Sequence, residues 1–123
     1  MRALIERYLD AYNRIDVDAM LTALHPDVVF ENYTAGVLSV RTDGLDEFRK
    51  LAESTRYLFA RRRQTVIAYA EQGESAEARI FFEGSFAVDL PNGVRAGQSI
   101  ALEGRSEFRL RDGLLVYIAD YSG

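Results

Sequence analysis

The sequence predicts one α+β domain spanning residues 1–123, with three N-terminal helices packed on a curved, mostly antiparallel sheet. Three observations carry this expectation. Segments with helical spacing of apolar residues come first, β-rich segments separated by turn signals follow, and no linker or internal repeat divides the chain.

The first element is "RALIERYLDAYNR", where Leu4, Tyr8 and Tyr12 recur at four-residue spacing beside Ile5 and Leu9. That pattern describes an amphipathic helix with an aromatic stripe. Asp16 reads as the N-cap of a second short helix, "VDAMLTALH", whose apolar face holds Met20, Leu21 and Leu24 and which Pro26 stops. "DVVFENY" is a strand by its β-branched and aromatic content. Thr42 or Asp43 caps a third helix, with Leu45, Phe48, Leu51 and Ala52 as its buried stripe and its end near Tyr57 or Leu58. Strands are then expected near "RQTVIAYAE", "AEARIFFEGSFAVDL", "QSIALEGRSEFRL" and "LLVYIADY", separated by Gly73, Pro91-Asn92-Gly93 and Asp112-Gly113. Helices laid across the concave side of such a sheet leave a cone whose far end stays open as a pocket.

Composition narrows the function classes. Hydrophobic residues make up 48% and charged residues 28%, an ordinary globular balance. A net charge of −4 argues against a nucleic-acid partner. The chain has no cysteine, so thiolate chemistry and cysteine metal sites are absent. One histidine, His25, excludes a His-rich metal site, and its place before Pro26 reads as an electrostatic helix cap. The basic run "ARRRQ" reads as a solvated strand start. No apolar run suits a membrane span and the charged start does not suit a secretory signal, so a cytoplasmic location is expected.

The final hairpin decides where Asp120 points. In "SIALEGRSEFRL", Ile100, Leu102, Gly104, Ser106, Phe108 and Leu110 share one face, and the charged residues share the other. A two-residue Asp112-Gly113 turn would set Arg105 opposite Asp120 on the outer face. A three-residue turn with a Gly113 bulge would set Gly104 opposite Asp120 inside. The outer ion pair is worth ~0–1 kcal/mol, against roughly 1.5–3 kcal/mol for each aliphatic side chain buried. Each register buries some aliphatic residues. The inward register, with Leu114, Val116 and Ile118 inside, is preferred.

Two stretches carry a family resemblance. "YNRIDVDAMLTALHPDVVFEN" resembles the entry to the nuclear transport factor 2-like superfamily, and "FRLRDGLLVYIADY" resembles its last hairpin. The resemblance implies a cone-shaped (cystatin-like) fold and, by analogy, a homodimer. The ketosteroid-isomerase branch is similar through "ERYLDAYNRID", which puts Tyr8 at its oxyanion-holding tyrosine. Its general base would fall at Asn32 and its second oxyanion donor at Ser106. The SnoaL-like polyketide-cyclase branch is similar at the C-terminus. There Asp120 matches the acid/base aspartate, while Ile118 replaces the pocket histidine.

The expected site therefore has Asp120, Tyr8 and Asn32 as its catalytic residues. Tyr12, Tyr57, Phe59, Phe82, Ser106 and Ile118 are expected around a small, apolar organic ligand, with no metal or cofactor required. A carboxylate in an apolar pocket has its charged form disfavoured, which poises it for proton transfer. The implied enzyme is a cofactor-independent isomerase, cyclase or dehydratase acting on a carbonyl compound. A non-catalytic small-molecule-binding or protein-interaction module on the same scaffold is the alternative.

Overall fold

A computed structural model describes all residues, 1–123. It has three helices, α1 (Arg2–Asn13), α2 (Val17–Leu21) and α3 (Leu45–Thr55), and six strands. The strands are β1 (Leu24–Thr34), β2 (Val37–Asp43), β3 (Phe59–Gln72), β4 (Ser75–Phe86), β5 (Ser99–Arg111) and β6 (Leu114–Ser122). They form one sheet in the order β2-β1-β6-β5-β4-β3. Every neighbouring pair is antiparallel except β1 and β6, which run parallel. The α+β architecture read from the sequence is therefore the observed one.

Asp16 caps α2 as expected, its carboxylate accepting from the Ala19 N–H at 3.0 Å. That helix ends at Leu21, however, and the chain from Leu24 is already strand. His25 is thus not a helix cap: its Nδ1 accepts from the Asp27 N–H at 3.0 Å within β1. Nor do Thr42 and Asp43 cap α3. They close β2, and Gly44, at φ 86°, starts the helix. Positive φ costs glycine little, so the chain turns there directly from strand to helix.

The core lies between the helices and one sheet face. Ile5 and Leu9 of α1, Phe48 of α3, and Val28, Ala78, Ile80, Phe108, Leu115 and Ile118 of the sheet are all buried. Aromatic rings tie the two helices to β1: Phe30 meets Phe48 edge-on at 5.7 Å, and Tyr8 lies 6.5 Å from Phe48. The C-terminus of α1 is fastened to β3, an edge strand whose outer backbone groups need partners. Asn13 fills that role, donating from Nδ2 to Gln64 O at 3.2 Å and accepting from Gln64 N at 2.7 Å.

The β5–β6 hairpin combines features of both registers considered from sequence. Asp112 and Gly113 have positive φ of 54° and 76°, and Arg111 pairs with Leu114, as in a two-residue turn. The register then slips where β6 carries one extra residue, Val116, between Leu115 and Tyr117. Beyond that bulge Phe108 pairs with Ile118 and Ser106 with Asp120. Leu115 and Ile118 both point into the core, and Asp120 follows Ile118 to the same face. The inward orientation of Asp120 holds, but its partner is Ser106 rather than Gly104, and Leu115 replaces the expected Leu114 in the core.

Candidate functional site

The helices do not fill the whole concave face. A cavity of about 450 Å³ remains between α1, α3 and the sheet, lined largely by hydrophobic residues. Phe59, Phe82, Leu102 and Ile80 form much of its sheet wall, and Leu51, Ala52 and Leu58 close the side under α3. Its size and apolar lining suit a small organic molecule.

Asp120 stands in that wall, beside Asn32 across the parallel β1–β6 pair and beside Ser106 across the antiparallel β5–β6 pair. The Ser106 hydroxyl donates to Asp120 Oδ1 at 2.7 Å. Burial raises the Asp120 pKa from 3.8 to about 6, and the Ser106 hydrogen bond only partly opposes that rise. A buried carboxylate on the opposite sheet face shows the reverse effect. Glu31 faces the outer side of the sheet, accepts from Tyr117 Oη at 2.6 Å and from Arg41 at 2.9 Å, and its pKa is lowered. Donors aimed at its oxygens favour the charged form, whereas Asp120 has a single neutral donor in an apolar wall.

Tyr8 projects from α1 into the same cavity. Its phenol is held protonated, because burial and then the nearby Asp120 charge raise its pKa well above 10.0. It is therefore a hydrogen-bond donor beside a carboxyl group of intermediate acidity. Asn32 lines the cavity too, but its Nδ2 already donates to Ser39 Oγ at 2.8 Å.

Tyr12, Phe59, Phe82 and Ser106, expected as ligand neighbours, also line the cavity. Two expected ligand neighbours do not. Tyr57 follows the end of α3, is 68% exposed and stacks with Arg56 at the surface. Ile118 is wholly buried in the core, one inward position before Asp120, and contributes no cavity surface.

One cavity residue escaped the sequence reading. Arg62, in the middle of "ARRRQ", is only 8% exposed and lines the cavity beside Tyr12. The alternation of β3 could have revealed it, since Arg62, Gln64 and Val66 share one face. No His, Asp or Glu cluster in the protein is arranged to hold a metal ion, and no helix is long and apolar enough to cross a membrane.

Comparison with known proteins agrees with this geometry. Residues 5–118 match the SnoaL-like domain family. A candidate polyketide cyclase from Xanthomonas campestris pv. campestris is 25% identical, superposes with a TM-score of 0.85, and is aligned over 99% of this chain and 89% of its own. A candidate polyketide cyclase from Pseudomonas putida KT2440 is 24% identical with a TM-score of 0.82, over 98% and 89% of the two chains. IdmH, a candidate polyketide cyclase from Streptomyces antibioticus, shares the fold at 17% identity and a TM-score of 0.79, over 97% and 88%. No functionally curated protein matches the sequence. With the family match running through nearly every element from α1 to β6, the chain belongs to the SnoaL-like family.

Proposed function

We propose that the protein is a cofactor-independent enzyme that moves a proton beside the carbonyl of a small polyketide-, steroid- or terpenoid-like compound. One observation carries this reading: Asp120, the acidic residue in the wall of an apolar cavity, has its pKa raised to about 6 and stands near a protonated tyrosine. Near neutral pH the carboxylate takes a proton from the carbon next to the carbonyl. The Tyr8 hydroxyl donates to the carbonyl oxygen as negative charge develops there. The proton held by Asp120 then returns to another carbon, to the oxygen of a new aldol, or to a departing hydroxide. These outcomes correspond to isomerisation, cyclisation and loss of water. Asn32, with its amide N–H engaged by Ser39, orients the substrate at the cavity rim through its free Oδ1. The protein would work in the cytoplasm as a homodimer, which sedimentation would test.

A second reading, a non-catalytic module that binds a small molecule, is favoured by one specific feature. Asn32 stands directly beside Asp120, where a second carboxylate would supply a stronger base. The two readings separate by deuterium uptake at the α-carbon of a panel of cyclic ketones in heavy water. Proton transfer by Asp120 predicts uptake that falls roughly 100-fold or more in Asp120→Asn. Equal uptake in both proteins would overturn the catalytic assignment. Ketone binding without uptake in either protein would favour the binding module.

A further inference from the structure

Arg62 is the one buried cation of the molecule, and nothing in the fold neutralises it. Its Nε donates to the Tyr12 backbone carbonyl at 2.8 Å, in the last turn of α1, and its guanidinium carbon sits over the Tyr12 ring, 3.7 Å from the centroid. Nη2 reaches Met20 Sδ at 3.9 Å, the Tyr12 side chain is the other neighbour, and no carboxylate meets the guanidinium. Exposed arginines elsewhere do find carboxylates: Arg41 meets Glu31 at 2.9 Å, Arg105 meets Glu107 at 2.7 Å and Arg79 meets Glu103 at 3.3 Å. A buried, unpaired charge is costly unless a partner arrives. Helix backbone and aromatic ring fix the guanidinium in place, and Arg62 lines a cavity with room for a ligand.

We propose that Arg62 is the anion-recognition residue of this cavity and that its ligand carries a carboxylate. The proposal rests on reading the cavity as a ligand site, not on the chemistry assigned to Asp120. A planar fork of donors fits a carboxylate in two parallel hydrogen bonds, which a lysine cannot reproduce. Arg62 sits on β3 and Asp120 on β6, with β4 and β5 between them. A carboxylate held by Arg62 is therefore a handle at one end of the ligand, separate from the atoms facing Asp120. This deepens the proposed function by giving the substrate a second polar feature: an apolar carbonyl compound that is also an acid.

The test compares 2-naphthoate with its neutral isostere 2-naphthamide by titration calorimetry. Wild type should bind the naphthoate at least ~10-fold more tightly, as expected of a charge-assisted bidentate contact. Arg62→Gln should lose that preference, and Arg62→Lys should keep only part of it. Equal binding of the two probes by wild type, or no binding of naphthoate, overturns the proposal. So does an Arg62→Gln protein that folds and still prefers the anion. Should Arg62→Gln fail to fold, Arg62→Lys decides, because an undiminished preference there also refutes the fork. Asp120→Asn should retain the preference. A failed deuterium test with this preference intact would remove the proton-transfer reading and leave the anion site standing.

Discussion

Replacing Asp120 by Asn should make the protein more stable at neutral and alkaline pH. In the folded state burial raises the carboxyl pKa from 3.8 to about 6, whereas the unfolded chain leaves it near its ordinary value. Between those two values the native state holds more protons than the unfolded state, so unfolding free energy falls as pH rises through that window. Below it both states are protonated and the residue adds no penalty. Above about 6 the full cost of ionising a carboxylate in the cavity wall is present. At about 1.36 kcal/mol per pH unit, the interval from 3.8 to about 6 amounts to roughly 3 kcal/mol. Asn preserves the shape and the oxygen that accepts from Ser106, and it carries no charge. The variant should therefore exceed wild type by about 2–3 kcal/mol near pH 8, the gap closing toward zero near pH 4. Urea unfolding followed by circular dichroism at several pH values measures this directly. A variant less stable than wild type near pH 8, or a difference independent of pH, would refute the reasoning. The first result would mean that the fold stabilises the ionised carboxylate, and the second that folding leaves the carboxyl pKa unshifted.

Three further substitutions probe the same architecture. Ser106→Ala removes the only hydrogen bond opposing the rise in the Asp120 pKa, so the midpoint of any Asp120-dependent activity should move to higher pH; an unmoved midpoint in the pH–rate profile would exclude that contact. Gly104→Ala places a methyl group against the backbone carbonyl of Tyr121, which cannot yield as a side chain would. A loss of roughly 1–3 kcal/mol is expected in denaturant titration. Leu115→Ala empties a wholly buried position just before the bulge and should cost about 2–5 kcal/mol, measured the same way.

The hairpin shows how far sequence patterning reaches. Alternation along β5 fixed its inward face, because the opposite choice would bury Glu103, Arg105 and Glu107 together. No pattern could place the bulge at Val116, since Leu114 to Ile118 are all apolar or aromatic and each parity buries a comparable set. The side to which Asp120 turns was thus legible while its partner was not. β2 leaves only a short trace in the sequence: Leu38, Val40 and Thr42 alternate with Ser39, Arg41 and Asp43, but Val37 and Leu38 are exposed at a sheet edge and only Val40 and Thr42 turn inward. Arg62 was missed for a related reason. Three consecutive arginines read as a solvated run until the strand's alternation is applied residue by residue, which sends only the middle one inward. Tyr57 was misplaced because α3 stops at Thr55, before the helix can carry Tyr57 toward the cavity.

The most direct measurement is a carbon-13 titration of the Asp120 side-chain carboxyl by nuclear magnetic resonance, assigned against Asp120→Asn. A midpoint near 6 is predicted, falling in pH neither with added salt nor with the ionisation of any exposed carboxylate. A midpoint at or below the ordinary 3.8 would show a solvated or paired carboxylate and contradict proton transfer from this wall.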